Sequence, residues 1–226
     1  MYRFYFENAD FKQKAIKISD PHEIHHIKDV LRLKKGSIVQ VFNGQSQEAD
    51  VVIDKVGEMA IVASVKEVRE KPQSSGRIIL ACAPPKKGKF ELIIEKCTEL
   101  GVDEIIPLKT KRGEVFFDDE RMRGKLNRFE AVAVSASKQS KRVKVPLIHP
   151  MSTLTQVLEK LDSNGIGVIP SLHDHPTHIR DVLLKANKAT ALTIFIGPEG
   201  DFTPDEVKQA LEVVQAATLA ESKVPG

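Results

Sequence analysis

The 226 residues carry 41% hydrophobic and 29% charged side chains and a formal net charge of +3, the composition of an ordinary water-borne domain or pair of domains. No apolar run approaches the roughly 20 residues of a membrane span, and Met1-Tyr2-Arg3-Phe4-Tyr5-Phe6-Glu7 lacks the apolar region of a signal peptide, so a cytoplasmic protein with no membrane partner is expected. Two cysteines, Cys82 and Cys97, suggest neither a disulfide framework nor a cysteine-based zinc site, and reduced, buried thiols are expected.

The first stretch reads mostly as short strands: Tyr2 to Phe6, Lys14 to Ile18, Ser37 to Phe42, Glu48 to Ile53 and Met59 to Val68. Asn43-Gly44 reads as a hairpin turn, and Val56-Gly57-Glu58 punctuates the next pair. One helix interrupts the pattern, starting at Asp20-Pro21 and carrying Ile24, Ile27, Val30 and Leu31 at helical spacing. These elements predict a small β-barrel with an inserted helix, spanning 1–71. Arg3, His25, His26, Arg32, Lys34 and Lys35 form a modest basic set on it.

Lys71-Pro72-Gln73-Ser74-Ser75-Gly76 reads as a linker, and beyond it strands and helices alternate. Arg77 to Ala83 is a strand, Lys89 to Leu100 a helix, Glu104 to Leu108 a strand and Asp119 to Gln139 a long basic helix. Leu154 to Leu161 is a helix, Gly165 to Ile169 a strand, Ile179 to Ala186 a helix and Ala191 to Ile196 a strand. Alternation of this kind predicts an α/β domain over 76–226 with a largely parallel sheet.

The last of these strands stops at Gly197-Pro198-Glu199-Gly200-Asp201-Phe202, ahead of a helix start at Thr203-Pro204-Asp205-Glu206. Thr203 and Glu206 make a capping box and Pro204 suits the first helical position. The loop therefore lies at the carboxyl end of a strand, where open α/β sheets bind ligands. Its glycines allow close approach of the main chain, while Glu199 and Asp201 disfavour a polyphosphate and favour a neutral or cationic ligand. Both common nucleotide fingerprints are missing. A plain strand-to-helix turn stays open as the competing reading.

Charge is concentrated between Lys109 and Lys144, where eleven basic residues face five acidic ones. That excess suits a polyanion, with a solvated helix face as its competitor. Within it, Arg112 follows a strand and could hold a phosphate or stack on a base, and Gln139, Ser140, Lys141 and Arg142 end the basic helix. The sequence His173-Asp174-His175-Pro176-Thr177-His178 raises metal binding, an incidental loop, or a wall of the ligand crevice.

In order, Leu31-Arg32-Leu33-Lys34-Lys35-Gly36, Lys89 through Val102, Thr110-Lys111-Arg112, Gln139-Ser140-Lys141-Arg142 and Ile196-Gly197-Pro198-Glu199-Gly200 resemble the bacterial 16S ribosomal RNA (uracil-N3)-methyltransferase family over nearly the whole chain. The resemblance implies a PUA-like β-barrel that binds RNA and a trefoil-knotted SPOUT domain that binds S-adenosylmethionine and dimerises. It implies, as partner, 16S ribosomal RNA or the 30S subunit; no resident metal is expected. Ile196, Gly197, Pro198, Glu199 and Gly200, with Leu172 and His173, match the cofactor loops. Arg3, His25, Arg32, Lys34, Arg112, Gln139, Ser140, Lys141 and Arg142 fall to RNA, and Arg112 and Glu199 to catalysis.

The chain departs from the family pattern at Asp201, where the family has a second glycine, at Gly113, usually serine, and at Lys138, commonly glutamate. Ala216 to Gly226 also lacks the family's Leu-Gly, Ile-Leu-Arg and Glu-Thr-Ala sequence, so the C-terminal knot segment is expected to be absent or divergent. Two rival functions share the residues: a non-catalytic RNA-binding assembly factor on the same fold, and a metal hydrolase using His173, Asp174, His175 and His178.

Overall fold

The computed structural model describes residues 1–7, 9–71, 76–86, 88–117, 119–170, 177–185 and 189–218. Two compact units emerge: Met1–Gln73 with Val134–Val145, and Ser74–Ala133 with Pro146–Gly226.

The first unit contains β1 (Arg3–Tyr5), β2 (Ala15–Ile18), α1 (Pro21–His25), β3 (Ile38–Phe42), β4 (Gln47–Val56) and β5 (Ile61–Glu70). The strands form one sheet in the order β1-β3-β4-β5-β2, antiparallel except for the β1–β3 pair. Register shifts at Asp50/Val51 and Ile53/Lys55 bend β4 against β5, and the sheet curls into a half-barrel. Alternation sends Val39, Val41, Ala49, Val51 and Ile53 inward onto Phe4, Ile18, Ile24 and Ile27.

Asn43 builds its turn with one oxygen, Oδ1 accepting from the main-chain nitrogens of Gln45, Ser46 and Gln47 at 3.0, 3.3 and 3.1 Å. Gly44 follows with φ +79°, and a Cβ there would lie 2.6 Å from the Tyr5 ring. Asp20 caps α1 by accepting from Glu23 N at 2.9 Å, after which the helix widens into a π-helical turn over His26–Val30.

The second unit runs β6 (Arg77–Cys82), α2 (Phe90–Leu100), β7 (Glu104–Lys109), α3 (Asp119–Ser140), β8 (Leu147–Ile148), β9 (Ser152–Thr153), α4 (Leu154–Leu158), β10 (Ile166–Pro170), β11 (Thr177–His178), α5 (Ile179–Lys185), β12 (Ala191–Ile196), α6 (Pro204–Leu211) and β13 (Gln215–Thr218). Residues 134–140 of α3 pack with the first unit, although chain order places the whole helix in the second region. The sheet order is β11-β13-β10-β12-β6-β7-β8, with β9 beside β7, and every pair is parallel. Ala81, Leu108, Leu154, Ile169, Phe195 and Phe202 form the core of this unit.

β13 corrects the sequence reading, which assigns no element to this stretch. Gln-Ala-Ala-Thr has no strand signature, but parallel pairing to β10 (Val168↔Gln215, Ile169↔Ala216, Pro170↔Ala217) and to β11 supplies the hydrogen bonds that local propensity does not. Gly167 permits the approach of the preceding residue: a Cβ there would lie 2.3 Å from Val214 Cγ1. Residues 219–226, the remainder of the divergent segment, lie outside the described residues.

Candidate functional site

The loops after β7 and β12 meet at the carboxyl ends of the strands. Thr203 and Glu206 form the expected capping box, Glu206 accepting from Thr203 N and Oγ1, each at 2.9 Å. The same carboxylate also accepts from Lys111 N at 2.8 Å, a bond across 95 residues that ties the two loops together. Burial opposes the charge on Glu206, and the main-chain donors of Thr203 and Lys111 overcome it, so its carboxyl lies below the usual carboxylate range.

Arg112 makes the second tie. Its Nη1 donates to the carbonyls of Gly200 and Phe202 at 2.9 and 3.3 Å. The main chain turns at Pro198, whose carbonyl accepts from Asp201 N at 2.9 Å. Asp201 sits at φ +60°, the left-handed region, which is the physical reason a glycine suits this position. Its own carboxylate supports the turn by accepting from Phe202 N at 2.7 Å. Gly197 leaves room for Phe202, whose ring a Cβ would meet at 3.1 Å.

Glu199 is exposed and accepts from Lys86 N at 3.3 Å. Its own main-chain N–H, that of Lys86, and the nearby Lys86 and Lys89 cations hold it ionised, below the ordinary carboxylate range. In the loop after β7, Thr110 Oγ1 is buried without a partner among the described residues.

A cavity of about 650 Å³ opens beside these loops. Ile169, Phe202, Val207 and Leu211 give it apolar walls, and Arg112, Asp201, Lys208 and Glu212 carry its charge. Apart from Pro204, the wall residues from α6 (Val207, Lys208 and Leu211) are signalled by no motif. Leu172 and His173 lie outside the described residues. So does the histidine cluster except Thr177 and His178, and His178 Nδ1 accepts from Arg180 N at 3.1 Å. No group of three or more metal-ligating side chains occurs among the described residues.

The expected RNA contacts divide in the first unit. Arg32 and Lys34 are exposed, as is His25, which pairs with Asp29 at 2.8 Å. Gln139 and Lys141 are exposed at the end of α3, where Lys141 adopts φ +58° and Arg142 N returns to Ser137 O at 3.1 Å. Ser140 spends its hydroxyl on Ala136 O, at 2.7 Å. Arg3 is a correction: its side chain is only 6% exposed, paired with Glu48 at 3.2 Å, bonded to Ser137 O at 2.8 Å and stacked 4.1 Å from the Phe42 ring centre. Burial pulls its pKa down, and Glu48 opposes that shift; Arg3 belongs to the core. Lys138 pairs with Glu23 of α1.

Comparison with known proteins gives a matching frame. Residues 71–222 match the model of the RNA methyltransferase domain, and residues 18–65 that of the RNA methyltransferase PUA domain. The ribosomal RNA small subunit methyltransferase E of Rickettsia conorii is 28% identical over 91% of this chain and 81% of its own length, and that of Bacillus subtilis 28% identical over 84% and 76%. A probable rRNA-methyltransferase from Porphyromonas gingivalis superposes with a TM-score of 0.79 at 26% identity, covering 99% of this chain and 91% of its own. The fold is also that of the small subunit methyltransferase E from Neisseria gonorrhoeae, crystallised with S-adenosyl methionine (TM-score 0.85, 24% identity, 99% and 91% covered). With both of its regions matched, the larger over residues 71–222, the chain belongs to the RNA methyltransferase family.

Proposed function

We propose that this chain transfers a methyl group from S-adenosylmethionine to N3 of a uridine in 16S ribosomal RNA of the small subunit, acting in the cytoplasm as a homodimer. The observation that carries the reading is the pair of joined loops: Arg112 held by the carbonyls of Gly200 and Phe202, beside a cavity of nucleoside size. The relatives' names, which specify the small ribosomal subunit, and the cofactor in the Neisseria gonorrhoeae crystal support it.

The residues present suit this cofactor. Ile169, Phe202, Val207 and Leu211 offer apolar area to a purine, Asp201 and Glu212 offer carboxylates to a cation, and the main chain of Ile196, Gly197, Pro198, Glu199 and Gly200 offers donors and acceptors. Leu172 and His173 are assigned to the cofactor from their sequence match alone. When bound, S-adenosylmethionine supplies an electrophilic methyl carbon on a sulfonium.

Uracil N3 carries a proton at neutral pH, and its lone pair is free to attack only once that proton has left. Arg112 stabilises the negative charge that then spreads onto the uracil oxygens. Glu199 accepts the proton, but a carboxylate held ionised is a weak base, so stabilisation of the uracil anion by Arg112 carries more of the barrier. Arg32, Lys34, His25, Gln139 and Lys141 hold RNA from the first unit.

Calorimetric titration with S-adenosylmethionine, followed by primer extension on treated 16S RNA, tests the reading. Saturable binding, weakened in Gly197→Val, is expected, with an extension stop at the product because an N3 methyl blocks base pairing. Binding of RNA without cofactor would favour the non-catalytic assembly factor.

A further inference from the structure

We infer that the first turns of α3 and the segment before it form a stacking groove for single-stranded RNA, separate from the cofactor crevice. The inference rests on the RNA substrate proposed above and extends it to a surface that none of the motifs covers.

The groove, about 500 Å³, is lined by Phe116, Phe117, Arg121, Gly124, Lys125 and Arg128. Phe116 keeps 50% of its surface exposed, although Lys109 Nζ lies 4.2 Å from its ring centre. Phe117 is anchored edge-on against the buried Phe129, at 6.1 Å, with Lys125 Nζ 5.9 Å from its own ring. An exposed ring beside a fixed one, bordered by cations, is the chemistry that binds unstacked bases and their phosphates.

Two features of the helix work against its own stability. Arg121, Lys125 and Arg128 fall at i, i+4 and i+7 on one face, where like charges repel. Gly124 lies between them, the weakest ordinary helix former, and no atom lies within 4 Å of where its Cβ would stand. Packing therefore does not demand the glycine, and a side chain placed there would stand in the open groove. A polyanion relieves the repulsion, and Glu91 bonds Arg128 Nε at 2.8 Å. The described side chains lining the groove include no carboxylate.

The test is fluorescence-anisotropy titration of the full chain with labelled oligouridine at two salt concentrations, alongside S-adenosylmethionine calorimetry on each variant. Phe116→Ala and Gly124→Leu should weaken RNA binding at least about fivefold, the lower end of the value of one base stack, with cofactor affinity unchanged. Phe116→Tyr should retain binding, and Lys125→Glu should reduce the salt dependence. Unchanged RNA affinity in Phe116→Ala and Gly124→Leu would overturn the groove and leave its cations to another partner. A wild-type chain that binds cofactor but no oligouridine overturns the groove alone; one that binds neither overturns the proposed function with it.

Discussion

The two ends of the parallel sheet handle charge in opposite ways. At the amino ends of the strands, Arg77 bonds Glu104 at 2.7 Å and Asp162 at 3.4 Å, and His149 Nε2 meets the other Glu104 oxygen at 2.8 Å. Asp162 also accepts from Thr190 Oγ1 and Asn164 N, which with the Arg77 charge lower its pKa. A cavity of about 480 Å³ lies there, and the paired Arg77, Glu104, His149 and Asp162 stand in its walls. At the carboxyl ends Arg112 instead bonds main-chain carbonyls, which hold the guanidinium in place without cancelling its charge. Among the described residues no carboxylate bonds Arg112, and the proposed function uses that charge on the substrate.

The contrast can be broken or sharpened at four positions. Glu206→Ala should have the largest effect on stability, about 2–3 kcal/mol in chemical denaturation, because Lys111 N and Thr203 N lose their acceptor together. The pH dependence has a definite sign. With a folded pKa below the unfolded value of about 4.3, the ionised form stabilises the protein above that value and the contribution is lost as pH falls through the folded pKa. Denaturation series from neutral to acid pH should therefore fall less steeply in Glu206→Gln.

Arg112→Ala should lower methyl transfer about a hundredfold in a single-turnover assay, the scale of losing one charge-stabilising donor, and cost no more than about 1 kcal/mol of stability. A loss of stability as large as that of Glu206→Ala would make Arg112 a purely structural clamp. At the opposite end, Glu104→Gln should cost below about 1 kcal/mol, shrinking with added salt, and leave catalysis unchanged. Asp201→Gly should change the melting midpoint least, since relief of the left-handed backbone offsets the lost bond to Phe202 N. Its readout is cofactor affinity, which falls if the carboxylate faces the cation.

Local signals were legible where the chain satisfies itself locally. Thr203 and Glu206 announced their box, Asp20-Pro21 a helix start, Asn43-Gly44 a turn, and the alternation after Arg77 a parallel sheet. What could not be read were partners distant in sequence. Arg3 looked like a surface cation because Glu48 and Ser137, which bury it, lie 45 and 134 residues away. The bond from Lys111 N to Glu206 was hidden in the same way, and β13 exists only because β10 and β11 receive it. The order of five motifs pointed to the family, while no motif pointed to the cavity walls that Val207, Lys208 and Leu211 supply.

Among the described residues β13 follows every other strand in the sequence, yet it lies between β10 and β11 rather than at an edge. As the chain leaves the ribosome, β10 must therefore wait with one row of amides and carbonyls open until residues 215–218 emerge and slip into the gap. An open strand edge of that kind invites pairing with another nascent chain, so the exposure to aggregation lasts until residues 215–218 have been made.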